Sequence, residues 1–339
     1  MKGLHRVETS IPDVFPGAAQ LAAPRLDIDG QRSFVVAANG GLGDLCLAVQ
    51  VLAAFKREVP NADQHEWALA IPKRCAALVP LLTALELFDV IGELETATAL
   101  IRTLRHKPQI LPALLATSVN EARLARSAIS AHLWAAWGMA TRFEPRQAPG
   151  AARLRDKLVA RYAQLRETRG FPAPGTFAVF APESTYLASL KSWPVAHWRK
   201  LARSLVGRVG VESVVVCAST PLYRRVRRAM PVPMQQFDFT DPSLNVDTMN
   251  YASVVQAAAH VISLDSGTAH LASLIGARCV SLWGPTPPAI YASPNAIALR
   301  TSLCPPCDVD NRSKTCTNNV CMKNIAPSSV LYVLERLRP

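Results

Sequence analysis

Four stretches of this sequence combine residue types and spacings that could do chemistry. The first is Gly40-Gly41-Leu42-Gly43-Asp44, which sets a carboxylate among glycines between an apolar run and a helical pattern. Read from Gly41, a Gly-x-Gly-x-x-Gly dinucleotide fingerprint would end on Cys46, where glycine or another small residue is needed, and no Walker Lys-Ser/Thr follows. Asp44 would repel a diphosphate lying on the same turn, so the loop suits an uncharged substrate hydroxyl. It also suits plain capping of a helix, since Asp is favoured at helix N-termini.

The second stretch runs through Pro182-Glu183-Ser184-Thr185 to Lys191-Ser192-Trp193-Pro194. Small hydroxyl residues and a lysine after an apolar strand suit an anionic ligand, although the same segment reads as an ordinary surface loop leading to a proline-started helix. In the third, Asp265-Ser266-Gly267-Thr268-Ala269-His270, a tight turn opens the next helix. Its free amides, hydroxyls and helix dipole would make an anion site, with His270 close enough to add a donor. A capped helix with a buried histidine is the alternative. The fourth is a quartet, Cys304, Cys307, Cys316 and Cys321, in a polar stretch. Four thiolates including a CxxC pair suit tetrahedral iron or zinc, whose binding would order the loop. A reduced, metal-free loop and disulfide formation under stress are alternatives. Cys46, Cys75, Cys217 and Cys279 lie in apolar surroundings and read as small core residues.

The elements that must position these residues alternate. Ser33–Ala38 is a strand-length apolar run, followed by a helical period through Leu45, Val49 and Leu52. Strands are expected at Trp67–Ile71 and Gln109–Leu115, and helices at Ala76–Leu85, Ala122–Trp137 and Arg153–Arg169. Gly170-Phe171-Pro172-Ala173-Pro174-Gly175 reads as a linker. A second series then begins, with strands at Thr176–Ala181, Ser213–Ala218, Gln235–Phe239, His260–Leu264 and Arg278–Trp283 and a helix over Trp198–Val206. Two βα series imply an α/β protein of two Rossmann-like, doubly wound parallel-sheet domains facing each other across a cleft. The boundaries read as an extension over 1–32, a first domain over 33–170, a second over 171–325 that includes the Cys-rich loop 304–321, and a C-terminal helix over 326–339.

Length and composition constrain the class. The chain has 339 residues, half of them hydrophobic and 18% charged, which excludes a disordered or fibrous protein. A net charge of +12 calls for acidic partners: nucleic acid, anionic lipid or phosphate-bearing substrates. No apolar run reaches the ~18–20 residues of a membrane helix and the start lacks a secretory core, so the reducing cytoplasm is expected.

Taken together, Gly43-Asp44, Lys191-x-Trp193-Pro194-x-x-x-Trp198, Asp265-Ser266-Gly267-Thr268-x-His270-Leu271-Ala272 and Leu282-Trp283-Gly284-Pro285-Thr286 resemble glycosyltransferase family 9, the bacterial heptosyltransferases with the GT-B fold. The tail through Cys304, Cys307, Cys321 and Ile325 is similar as well. The resemblance runs from about Ser33 onward and is specific in the second half. It implies inverting, metal-independent transfer of a sugar from a nucleotide-sugar donor, typically ADP-heptose. The expected acceptor is a lipid-linked one of the lipopolysaccharide core type, met by an enzyme peripheral to the inner membrane. By the same resemblance Asp44 is the general base, with Gly41 and Gly43 in the acceptor-side loop. Ser184, Thr185, Lys191, Asp265, Ser266, Gly267, Thr268 and His270 then hold the donor. No cofactor is required for catalysis.

Some positions depart from the family pattern. Ser219-Thr220-Pro221-Leu222-Tyr223-Arg224-Arg225 lacks the acid that usually contacts the donor nucleoside, and Asn39 stands where the family often has arginine. The N-terminal extension and the cysteine quartet resemble the branch that heptosylates autotransporter proteins, where such cysteines hold iron, which makes a protein acceptor the alternative. A Rossmann oxidoreductase is disfavoured by Cys46. A nucleic-acid binder has eight Lys or Arg against Glu212 alone over Arg199–Arg228, but lacks a second CxxC knuckle and interleaved aromatics, so no nucleic-acid partner is expected.

Overall fold

The computed structural model describes residues 32–38, 40–113, 128–137, 139, 143–208, 210–228, 232–244, 247–294, 296–308 and 312–337. The expected extension, apart from Arg32, lies outside the described residues, as do Asn39, residues 114–115 of an expected strand, 122–127 of an expected helix and the last two residues of the expected C-terminal helix.

The first half carries β1 (Ser33–Ala38), β2 (Glu66–Ile71), β3 (Val90–Glu93) and β4 (Gln109–Ala113), in the order β3-β2-β1-β4. The second carries β5 (Phe177–Ala181), β6 (Ser213–Cys217), β7 (Met234–Phe237), β8 (His260–Leu264), β9 (Cys279–Leu282) and β10 (Ile297–Leu299), in the order β10-β9-β8-β5-β6-β7. Every named pairing is parallel. Interior strands such as Phe34-Val35-Val36-Ala37 and Phe177-Ala178-Val179-Phe180 are uniformly apolar because helices cover both of their faces. This is the α/β, two-sheet architecture expected of GT-B. The short strands β3 and β10 leave no sign in the sequence. Each lies at a sheet edge, is only half-buried, and is too short to show a period.

The helices are α1 (Leu42–Glu58), α2 (Val79–Ala84), α3 (Ala97–Thr103), α4 (Ile129–Ala136), α5 (Ala151–Arg169), α6 (Ala188–Lys191), α7 (Val195–Leu205), α8 (Thr220–Arg227), α9 (Thr248–Ala257), α10 (Gly267–Ile275), α11 (Pro288–Tyr291), α12 (Val320–Lys323) and α13 (Pro327–Arg336). The period of α1 suggests one apolar face, yet every residue from Leu45 to Phe55 is buried. Its second face is covered by α10 from the other half of the chain, so the helix is apolar all round. Helix α5 ends at Gly170, in the left-handed region at φ 66° where glycine is favoured, and packs on both α2 and α9. The linker after it is docked: Phe171 is buried and Tyr162 donates to the Pro172 carbonyl. In the second half, Trp198, Leu201 and Leu205 of α7 meet Val330 and Leu334 of α13 in one core cluster.

Strand order determines where a ligand can sit. In the first sheet the chain proceeds from β1 to β2 and β3 on one side, then returns to place β4 on the other. In the second it proceeds from β5 to β6 and β7, then places β8 beside β5 on the opposite side. Each reversal opens a crevice at the carboxyl ends of the strands. The loop after β1 carries Gly40–Asp44, and the loops after β5 and β8 carry Ser184–Lys191 and Asp265–His270.

Candidate functional site

Asp44 lies in the first turn of α1, exposed, with Oδ2 accepting the Gly41 amide at 2.8 Å. That reciprocal turn needs glycine at position 40, where a Cβ would fall 2.2 Å from the Asp44 Cβ. The Gly40 carbonyl is held in turn by the Arg74 guanidinium at 3.4 Å and the Cys75 thiol at 3.6 Å.

Helix α10 is preceded by Ser266, whose backbone is extended, and followed by Gly276, left-handed at φ 75°. Its first amides have no partner within the helix. Its N-terminal turn abuts that of α1: a Cβ on Gly267 would lie 3.0 Å from Leu42 Cδ2, and one on Gly43 would lie 2.8 Å from His270 Cδ2. The two crevices are therefore one place, with Asp44 on one side and the opening turn of α10 on the other.

Beside that turn the Lys191 ammonium is buried, 2.7 Å from Asp265 Oδ2 and 3.4 Å from the Asp265 carbonyl. Thr286 donates to the same Asp265 oxygen, and Ser184 donates to the Asp265 carbonyl at 3.2 Å. The Thr268 hydroxyl is buried against the Tyr251 hydroxyl at 2.6 Å, and Ser266 Oγ lies 3.1 Å from Ser263 Oγ. His270 Nδ1 pairs with Ser293 Oγ at 2.8 Å. Burial holds the imidazole below its ordinary pKa. Lys191 adds to this effect, while the Asp265 and Asp44 carboxylates oppose it.

The structure thus gathers Asp44, Gly41, Gly43, Ser184, Lys191 and Asp265 through His270, with Thr185 exposed in the same loop. It also divides their tasks. The side chains of Asp265 and Thr268 are engaged inside the protein, so what this segment offers a ligand is chiefly backbone amide and helix dipole. Trp193 and Trp198 are core residues, with Trp193 Nε1 donating to the Ile325 carbonyl at 2.9 Å. Thr286 and Ser293, which hold Asp265 and His270, carry no sequence signal of a role, although Thr286 closes the Leu282–Thr286 motif. In the segment after β6, the Ser219 amide donates to the Glu183 carboxylate at 3.1 Å and Thr220 donates to Asp238 at 2.6 Å. The Thr220 bond, together with those from the Thr240 hydroxyl and amide, keeps the Asp238 carboxyl below its usual pKa.

The cysteine quartet is the fourth of the expected groups. Among the described residues no three His, Cys, Asp or Glu side chains form a group able to hold a metal ion. Cys321 is buried at the start of α12, while Cys304, Cys307 and Cys316 lie half-buried on irregular backbone. The four are near one another all the same: burial pushes the Cys321 thiol up to about 11, and Cys304, Cys307 and Cys316 each add to the rise. Cys46, Cys75 and Cys217 are buried and Cys279 half-buried in the core. A cavity of about 890 Å³ opens elsewhere, between α5 and the amino ends of β5, β8 and β9, and holds none of the expected residues.

Residues 141–319 match the model of glycosyltransferase family 9 (heptosyltransferase). Over 114 residues the chain is 30% identical to lipopolysaccharide heptosyltransferase 1 of Salmonella typhimurium, a match spanning 34% of this chain and 34% of that relative. It therefore covers about a third of that curated relative. Among solved structures, a glycosyltransferase family 9 protein from Veillonella parvula superposes with a TM-score of 0.68 at 15% identity, covering 93% of this chain and 98% of the other. The ADP-heptose lipopolysaccharide heptosyltransferase II of E. coli gives 0.61 at 15%, covering 90% and 98%. The dodecameric iron-containing heptosyltransferase TibC, solved with ADP-D-beta-D-heptose, gives 0.60 at 14%, covering 91% and 77%. At these identities the structural matches establish the shared fold.

Proposed function

The chain belongs to glycosyltransferase family 9, and from that premise we propose that it transfers a heptose from ADP-heptose to an acceptor hydroxyl, with inversion at the anomeric carbon. The observation that carries this reading is the abutment of the two helix starts, which sets an exposed carboxylate opposite an anion-binding turn.

In this reading the acceptor oxygen attacks the anomeric carbon while its proton passes to the Asp44 carboxylate. The bond from that carbon to the β-phosphate oxygen breaks, and ADP leaves with the electron pair. Base and leaving group lie on opposite walls, as an in-line displacement requires. Growing charge on the diphosphate meets the first amides of α10, its dipole, and Lys191. An ammonium has three donors, and the Asp265 carboxylate and carbonyl take two, leaving one for a phosphate oxygen. Neutral His270 supplies a further polar contact without adding a second buried cation. No step calls on a metal.

A lipid-linked acceptor of the lipopolysaccharide core type fits the +12 charge, and a cavity lined by Arg224, Arg227 and Arg228 of α8 and its end adds to the basic surface. Among the described residues no helix is long and apolar enough to cross a membrane, so contact with the inner membrane from the cytoplasm would be peripheral. A protein acceptor is the second reading, favoured by the quartet and by the likeness to TibC, which is described as iron-containing. Iron or zinc here would serve structure alone and would have to draw Cys304, Cys307 and Cys316 onto Cys321. Elemental analysis of the purified protein decides this.

The test is ADP release from ADP-heptose with a lipopolysaccharide-core acceptor and, separately, with an autotransporter peptide. Asp44→Ala should abolish release while the donor still raises the melting temperature. Turnover by Asp44→Ala would overturn the assignment of the base, and the productive acceptor separates the two readings.

A further inference from the structure

Tyr186 stands at this site without a part in the reaction so far. It follows Thr185 in the loop after β5, and its side chain is 53% exposed, a large ring facing solvent beside a buried ion pair. The ring centroid is 5.2 Å from Lys191 Nζ, and the hydroxyl donates to Asp308 Oδ1 at 2.8 Å.

Asp308 is 4% exposed and sits one residue beyond Cys307. Its Oδ2 accepts the Tyr291 hydroxyl from α11 at 3.3 Å, and its amide donates to the Pro285 carbonyl at 3.0 Å. One buried carboxylate thus joins the loop after β5, the loop after β9 and the Cys-rich loop. Burying a carboxylate is costly unless hydrogen bonds satisfy it, and here two tyrosine hydroxyls do. The consequence for Tyr186 is that an exposed ring, which would otherwise sample several rotamers, is tethered at its far end. It presents a fixed aromatic face next to the ammonium.

We infer that Tyr186 contacts the donor, its ring packing on the carbon-bearing face of the sugar being transferred, and that Asp308 is the positioning residue that holds it there. The inference rests on the donor reading of Lys191 given above. If Lys191 faces the diphosphate, the two sugars bonded to its ends lie within reach of a ring at 5.2 Å, whereas the base is a ribose further away; of the two, the transferred pyranose is the one ADP lacks, so the comparison below separates them. Pyranose rings carry C–H bonds on one face, and an aromatic face with its negative quadrupole attracts them as it attracts the ammonium.

The experiment uses the full chain and compares ADP-heptose with ADP, which lacks the sugar. Tyr186→Ala should raise KM for ADP-heptose about tenfold, while the dissociation constant for ADP changes less than about twofold. Tyr186→Phe keeps the ring and should recover most of the loss. Asp308→Ala should raise the same KM, Asp308→Asn, which still accepts a hydroxyl, should restore it, and the double alanine variant should be no worse than Tyr186→Ala. Equal weakening of ADP and ADP-heptose in Tyr186→Ala would overturn the sugar contact. A lowered melting temperature with unchanged KM in Asp308→Ala would make Asp308 structural only. If the unaltered chain binds neither ADP nor ADP-heptose, the donor reading itself fails, and the inference falls with it.

Discussion

Gly43, in the first turn of α1, and His270, in the first turn of α10, meet so closely that a methyl group on Gly43 would stand 2.8 Å from His270 Cδ2. With Gly267 and Leu42, they form the seam where the two halves of the chain touch at the candidate site. The His270 ring cannot retreat freely, because Nδ1 is held by Ser293. Gly43→Ala should therefore part the two helix starts, costing about 1–3 kcal/mol of stability. Turnover should fall more steeply than stability, as donor titrations followed by thermal shift and ADP release would show.

Gly40→Ala probes the proposed base, Asp44. Its new methyl would overlap Asp44 and drive that side chain out of its turn, with no clash from any other residue among its three nearest atoms. ADP release should drop as far as in Asp44→Ala, a loss of about 10²–10⁴. The circular dichroism spectrum should be unchanged.

The Lys191–Asp265 pair predicts a non-additive cycle. Asp265→Asn leaves an ammonium buried without its countercharge and should cost about 3–5 kcal/mol in urea unfolding. Adding Lys191→Met should return part of that stability. Donor binding should not return with it if the Lys191 ammonium meets the phosphate as proposed, because that ammonium is gone.

The depressed His270 pKa sets a pH window. A histidine whose folded pKa lies below its unfolded value of ~6.5 contributes stability that is fully present above that value. It is lost as pH falls through ~6.5 toward the folded pKa, because the unfolded chain takes up the proton first. Unfolding free energy should therefore decline on the acid side of ~6.5. His270→Gln should flatten that part of the curve, and an unchanged slope would show that other groups govern it.

Within the quartet, Cys321 should be the slowest thiol. Its burial and raised pKa leave little thiolate at pH 8, so alkylation should reach it at least about tenfold later than Cys304, Cys307 or Cys316. Peptide mapping after timed iodoacetamide treatment gives the order.

The sequence by itself determined the βα alternation, the two parallel series and the loops that had to carry chemistry. These are local properties: a strand-length apolar run, a glycine turn and a helix start can be read within about thirty residues. The residues at the ends of β1, β5 and β8 were legible for the same reason. The short edge strands β3 and β10 were not, having too few residues to show a period.

What only the tertiary structure decided lies between distant positions. That α1 is buried on both faces follows from α10, more than two hundred residues away. The pairing of Lys191 with Asp265 spans 74 positions and engages the Asp265 carboxylate as the countercharge of a buried ammonium. The bond from Tyr186 to Asp308 spans 122, through a loop whose cysteines suggested metal. Residue type and spacing say which groups are available. Which of them are already satisfied by each other depends on how the two sheets bring their carboxyl ends together.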